Sequence, residues 1–131
     1  LGGLGYHRVI DAFPHRCVGY LYCCGTRCQA GGLPLVLDEI HNYGRKGRIF
    51  MVHLRNVRGS LATAGGFEEV LLDDGDMNVF KILLELKRVG FDGCISPDHI
   101  PNLEGDGANV HQGLAYSVGY LKAIFAALAV V

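Results

Sequence analysis

The chain has 131 residues, of which 50% are hydrophobic and 19% charged, a composition that suits one soluble globular domain with a real core and excludes a disordered chain. Twelve Lys and Arg against thirteen Asp and Glu give a net charge of −1, which leaves no electrostatic footprint for nucleic acid or for an anionic membrane surface.

Leu1-Gly2-Gly3-Leu4-Gly5 has neither a basic start nor a long apolar stretch, so no export signal is expected. Residues 18–23 read as a strand that ends in a turn at Gly25-Thr26. Residues 33–43 then read as a helix, with Leu33, Val36, Leu37 and Ile40 on one side and Gly44 as its stop. Residues 48–53 form a second strand rich in β-formers. Residues 55–76 read as a long loop carrying Gly59, Gly65, Gly66 and Gly75.

Residues 76–89 give the clearest helical period, with Asp76 as N-cap and Val79, Ile82, Leu83, Leu86 and Val89 on one face. A third strand over residues 93–96 leads into Pro97-Asp98-His99. Residues 113–127 read as the last helix. The apolar tail, residues 123–131, is too short to span a bilayer and reads as the buried end of that helix.

Strand and helix thus alternate three times, which argues for an α/β fold of parallel strands with helical crossovers. Three such units fit a small open sheet or three-eighths of a (β/α)8 barrel, and periodicity does not choose between them. The five cysteines, Cys17, Cys23, Cys24, Cys28 and Cys94, are odd in number and mostly clustered. They suit reduced thiols, and hence the cytoplasm, better than a disulfide framework.

Cys23, His53 and Asp98 each fall at the C-terminal end of one expected strand, the edge where parallel α/β folds bind ligands. A thiolate, an imidazole and a carboxylate on one rim suit Mn²⁺, Fe²⁺, Co²⁺ or Zn²⁺ rather than Mg²⁺ or Ca²⁺. Each residue also has an ordinary reading. Cys23 could be a small buried hydrophobe, His53 a core histidine, and Asp98-His99 a turn or helix cap. Arg55, two residues past His53, should share the rim, where a guanidinium suits a carboxylate. Arg58 reads as a surface ion-pair former, and Glu69 and Asp76 as candidates for ordering the loop.

The segments Gly19-Tyr20-Leu21-Tyr22-Cys23-Cys24-Gly25-Thr26, Val52-His53-Leu54-Arg55-Asn56-Val57-Arg58, Asp74-Gly75-Asp76-Met77 and Pro97-Asp98-His99 occur here in order. Together they resemble motifs of the D-mannonate dehydratases, a family of xylose-isomerase-like TIM barrels, over residues 18–121. The resemblance implies metal ligands Cys23, His53 and Asp98, with Mn²⁺ (alternatively Fe²⁺ or Co²⁺) as the cofactor and His99 as an acid–base residue. It implies a lyase that dehydrates the sugar acid D-mannonate to 2-keto-3-deoxy-D-gluconate, in glucuronate catabolism. Arg55 and Asn56 are the expected substrate-binding residues.

The chain departs from the family at three points. A further His ligand on a preceding strand is not in view, and Ser96 stands where the family has Arg. The family's catalytic Tyr has no counterpart in residues 107–111, where His111 is the substitute considered, with Tyr116 a more distant one.

These features lead to the expectation that residues 1–131 are a single domain, the last three βα units of a TIM barrel. Such a fragment is expected to present an apolar cut edge and to lack turnover by itself. The full-length protein is expected to form a homo-oligomer and to bind neither nucleic acid nor membrane. Two alternatives stand beside this reading: a metal-dependent sugar isomerase or epimerase of the same superfamily, and a non-catalytic α/β fragment.

Overall fold

Nine elements follow one another in a computed structural model that describes residues 3–131: α1 (Gly3–Ala12), β1 (Tyr20–Cys23), α2 (Cys24–Gly44), β2 (Ile49–Leu54), β3 (Asn56–Gly59), β4 (Phe67–Val70), α3 (Val79–Arg88), β5 (Cys94–Pro97) and α4 (His111–Leu128). Leu1 and Gly2, part of the segment read for an export signal, lie outside the described residues.

Strands β1, β2 and β5 form a parallel sheet in chain order, as the alternation of strands and helices requires. The register sets Leu21, Met51 and Cys94 in one row and Tyr22, Val52 and Ile95 in the next. Because side chains alternate across a strand, the two rows face opposite sides. Tyr22 and Val52 are buried beneath the helices, whereas Leu21 is 52% exposed and Cys94 is exposed on the other face. Helix α2 packs on β2 and α3, and α3 packs on α4, so the helices line one side.

The strongest sequence signal gives the most regular helix. Val79, Ile82, Leu83 and Leu86 of α3 are buried at helical spacing. Each such side chain contributes about 1.5–3 kcal/mol by leaving water. Its N-cap is Asn78, whose side chain accepts from Lys81 N at 3.0 Å. Asp76, expected in that place, instead accepts from Gly59 N at 2.8 Å and ties the preceding loop.

Two segments differ from the sequence expectation. The helix expected over residues 33–43 is only the second half of α2. Gly32, at φ 69° and ψ −174°, interrupts it, and Pro34 opens the second half where its missing N–H costs nothing. Gly25-Thr26 therefore begins a helix rather than making a turn. The expected loop over residues 55–76 contains an antiparallel hairpin, with Asn56 opposite Val70, Val57 opposite Glu69 and Arg58 opposite Glu68.

The end of the chain is also more exposed than its composition suggests. Ile124 and Leu128 are buried, but Phe125, Val130 and Val131 are not. Among the described residues no helix is long and apolar enough to cross a membrane.

Candidate active site

The three strand ends converge as their spacing suggests. Cys23 is the last residue of β1, His53 lies one residue before the end of β2, and Asp98 follows β5 directly. Cys23 and His53 are register partners, and His53 in turn pairs with Ser96. Neighbouring Cys24 points into the core, where burial pushes its thiol pKa up. Cys23 is therefore the thiol at the rim. All five cysteines are free.

One oxygen is the hub. Asp98 Oδ2 lies 3.6 Å from His53 Nδ1, 3.8 Å from Arg55 Nε, 3.9 Å from Cys23 Sγ and 3.9 Å from His99 Nε2. Burial holds this carboxyl above its ordinary pKa, against the opposing pull of His53, Arg55 and His99. The second oxygen, Oδ1, is buried with no hydrogen-bond partner among the described residues, as is Arg55 Nε. A buried acceptor left unpaired is costly, so Oδ1 is suited to a further cation or proton donor.

Thiol, imidazole and carboxylate thus face one another with soft and borderline donors. They do not form a finished metal cage: among the described residues no three His, Cys, Asp or Glu side chains are arranged to hold an ion by themselves.

Arg55, expected to capture a substrate carboxylate, reaches the rim beside Asp98. It is 6% exposed, and its terminal nitrogens are already occupied. Nη1 donates to Glu69 Oε1 at 2.7 Å and Nη2 to Thr26 Oγ1 at 3.2 Å. Gln29, with its amide oxygen turned toward the guanidinium, accepts from both at 3.0 and 3.1 Å. A guanidinium engaged in this way acts as a cationic strut between α2, β4 and the Asp98 carboxylate.

Asn56, also expected to bind substrate, is fully buried. Its Nδ2 donates to Leu72 O and Met77 O, and its Oδ1 accepts from the Val57 and Met77 amides. With both ends committed to backbone, it organises the loop and leaves nothing for a ligand.

His99 lies beside the hub, half-exposed, with Nδ1 2.7 Å from Glu69 Oε1. Its φ of 46° is left-handed, uncommon for a non-glycine residue. His111 stands exposed at the start of α4, and its electrostatic neighbour is Asp106 rather than the cluster. Tyr116 donates to Asp73 at 2.6 Å and likewise does not join the cluster. Arg58 pairs with Glu68 and Asp74 at the surface, as expected. Thr26, which donates to Cys23 Sγ at 3.1 Å, and Gln29 had no distinguishing signal in the sequence.

The comparisons with known proteins point one way. The family described as D-mannonate dehydratase (UxuA) matches residues 4–131. The chain is similar to mannonate dehydratases of Brachyspira hyodysenteriae (32% identical over 96 residues) and Geobacillus thermodenitrificans (36% over 96 residues). Each match covers 70% of this chain and 25% of the relative, so the chain spans about a quarter of their length. A crystal structure of mannonate dehydratase from Streptococcus suis serotype 2 superposes with a TM-score of 0.78 at 19% identity. It covers 95% of this chain and 36% of the other, and supports the α/β fold.

Proposed function

The chain belongs to the D-mannonate dehydratase family, and from that premise we propose that it is part of a metal-dependent hydro-lyase that converts D-mannonate to 2-keto-3-deoxy-D-gluconate and water. The observation that carries the proposal is the convergence of Cys23, His53 and His99 on the Asp98 carboxylate at one sheet edge. Three parallel strands in chain order with helices on one side support the finer reading, in which the chain is the last three βα units of a (β/α)8 barrel. On that reading residues 1–131 are one C-terminal piece, and the row Leu21, Met51 and Cys94 faces the barrel interior.

The donor set fits part of a metal shell. Cys23, His53 and Asp98 would hold Mn²⁺, or Fe²⁺ or Co²⁺, with Asp98 Oδ1 as the oxygen that lacks a partner. When bound, such an ion would supply Lewis acidity toward the substrate's oxygens. The reaction takes a proton from C2 and expels the C3 hydroxyl, which leaves as water once protonated. His99 stands beside Asp98 with an exposed imidazole suited to proton transfer at Nε2. Arg55 sets a fixed positive charge against Asp98 and Glu69, which keeps two neighbouring carboxylates from destabilising the rim.

The test measures metal content and D-mannonate turnover on this chain and on the full-length gene product that carries it. The expected result is about one Mn²⁺ per full-length chain and release of a 2-keto-3-deoxy acid, both lost in Cys23→Ala and His53→Ala. Metal binding with D-mannonate untouched would shift the reading to sugar isomerisation or epimerisation. An absence of metal binding in the full-length protein would overturn the ligand assignment.

A further inference from the structure

Thr26 stands between a buried cation and the thiol at the rim. Its Oγ1 accepts from Arg55 Nη2 at 3.2 Å and donates to Cys23 Sγ at 3.1 Å. Local structure brings the hydroxyl there. Cys23 is the N-cap of α2 and makes no side-chain capping bond, and Thr26 follows it three residues later. Side chains three apart on a helix share a face and lean toward its N-terminus, so the Thr26 hydroxyl comes back over Cys23.

From this relay we infer that Thr26 is a positioning residue for Cys23: its hydroxyl hydrogen, turned toward Sγ by Arg55, sets the aim and donor strength of that sulfur as a metal ligand. The argument counts donors and acceptors. A guanidinium only donates, and a hydroxyl has one hydrogen and two lone pairs. Arg55 therefore takes a lone pair of Oγ1, and the single hydrogen remains for Sγ. Sulfur accepts it as thiol or as thiolate, so the arrangement does not turn on the state of Cys23.

Arg55 is what sets this apart from an ordinary surface hydroxyl. Thr26 is exposed, and water would compete for its hydrogen if nothing oriented the group. Arg55 orients it, because the guanidinium is buried and is itself held by Glu69 at 2.7 Å and by Gln29 at 3.0 and 3.1 Å. The same guanidinium faces Asp98, with Nε 3.8 Å from an Oδ2 that lies 3.9 Å from Cys23 Sγ. One cation thus reaches two of the three expected ligands, Asp98 directly and Cys23 through Thr26. The role in metal binding rests on the proposed ligand set, whereas the hydrogen-bonded relay does not.

The experiment loads the full-length protein with Co²⁺ and reads the sulfur-to-cobalt charge-transfer band in the near ultraviolet, with the Co²⁺ affinity from the same titration. A hydrogen bond stabilises the sulfur electron pairs from which that transition starts, so its loss moves the band to longer wavelength. Thr26→Val keeps the branched shape and removes the hydroxyl. It should shift the band and bind Co²⁺ about tenfold more weakly, the lower end of what losing a partner behind a ligand costs. Thr26→Ser, which retains the hydroxyl, should keep the native band and affinity. An unmoved band in Co²⁺-loaded Thr26→Val, or an equal shift in Thr26→Ser, would overturn the inference and leave the ligand set standing. A native protein that binds Co²⁺ with no sulfur band would remove Cys23 from the ligand set and the inference with it.

Discussion

Arg27 and Glu39 meet across the interruption in α2 and join its two halves. Arg27 Nη2 donates to Glu39 Oε1 at 2.6 Å and Nε to Oε2 at 2.7 Å, and both side chains are buried. The Tyr22 hydroxyl adds a third bond to Glu39 at 2.9 Å, and the Tyr6 ring lies 4.4 Å below the guanidinium. Burial, with Cys24 and Glu39 nearby, holds the Tyr22 hydroxyl far above its ordinary pKa, so it remains a donor. Removing Glu39 takes from the buried Arg27 the carboxylate that both of these bonds reach. Glu39→Ala is therefore expected to cost about 3–5 kcal/mol in urea unfolding, while Arg27→Met/Glu39→Leu recovers most of it. A single variant as stable as the parent would show that the pair does not hold the two halves together.

The loop between β4 and α3 hangs on Asn56. Its amide bonds Leu72 O at 2.7 Å, Met77 O at 2.9 Å and Met77 N at 3.1 Å, all buried. In Asn56→Ala each of these backbone groups loses its partner, at about 1–3 kcal/mol for each one left buried. Gly75→Ala should mimic the defect, because its Cβ would lie 2.2 Å from Asn56 Oδ1 and 2.8 Å from Val57 O. Both variants are expected to speed hydrogen exchange at the Met77 amide. Native protection there in Asn56→Ala would contradict this role.

The parts of the fold that were legible in the sequence are those where burial and period coincide. Helix α3 shows its face in Val79, Ile82, Leu83 and Leu86, and the parallel strands show as apolar runs. The strand-end positions of Cys23, His53 and Asp98 followed from that alternation alone. The hairpin was not legible, because its two strands have four residues each and are joined through glycines at positive φ. The first half of α2 carries Gly25, Thr26 and Gly31, whose weak helix propensity reads as a turn until Arg27 is seen against Glu39. The hydrogen-bond partners of Arg55 and Asn56 lie in distant segments that no local pattern reveals.

Asp106 ties the first turn of α4 to the loop before it. Slight desolvation pushes its pKa up, but hydrogen bonds from the Gln112, Gly113 and Leu103 amides outweigh it and hold the carboxyl below its ordinary range. A depressed folded-state value means that the stabilisation is fully present above the unfolded value of about 3.9 and is lost as pH falls through the folded one. Asp106→Ala should therefore melt below the parent at neutral pH, and the gap should close only in strong acid. A gap that stays constant down through that acidic window would show that ionisation of Asp106 is not its source.

Gly25 is the close approach on which the Arg55 strut depends. A Cβ there would fall 2.5 Å from Arg55 Cγ and 2.8 Å from Nε. The long side chain could swing away if it were free, but Glu69, Thr26 and Gln29 hold its far end. Ala gains about 1 kcal/mol over Gly as a helix former, while a forced side-chain shift costs about 1–3 kcal/mol. Gly25→Ala is thus expected to fold with a small net loss, about 1 kcal/mol, and to disturb the rim far more than the core. The Arg55 Nε–H signal should move in ¹H–¹⁵N spectra, and so should the ring nitrogens of His99 through their shared partner Glu69. Unshifted Arg55 and His99 signals in a folded Gly25→Ala chain would mean that the guanidinium is not braced as described.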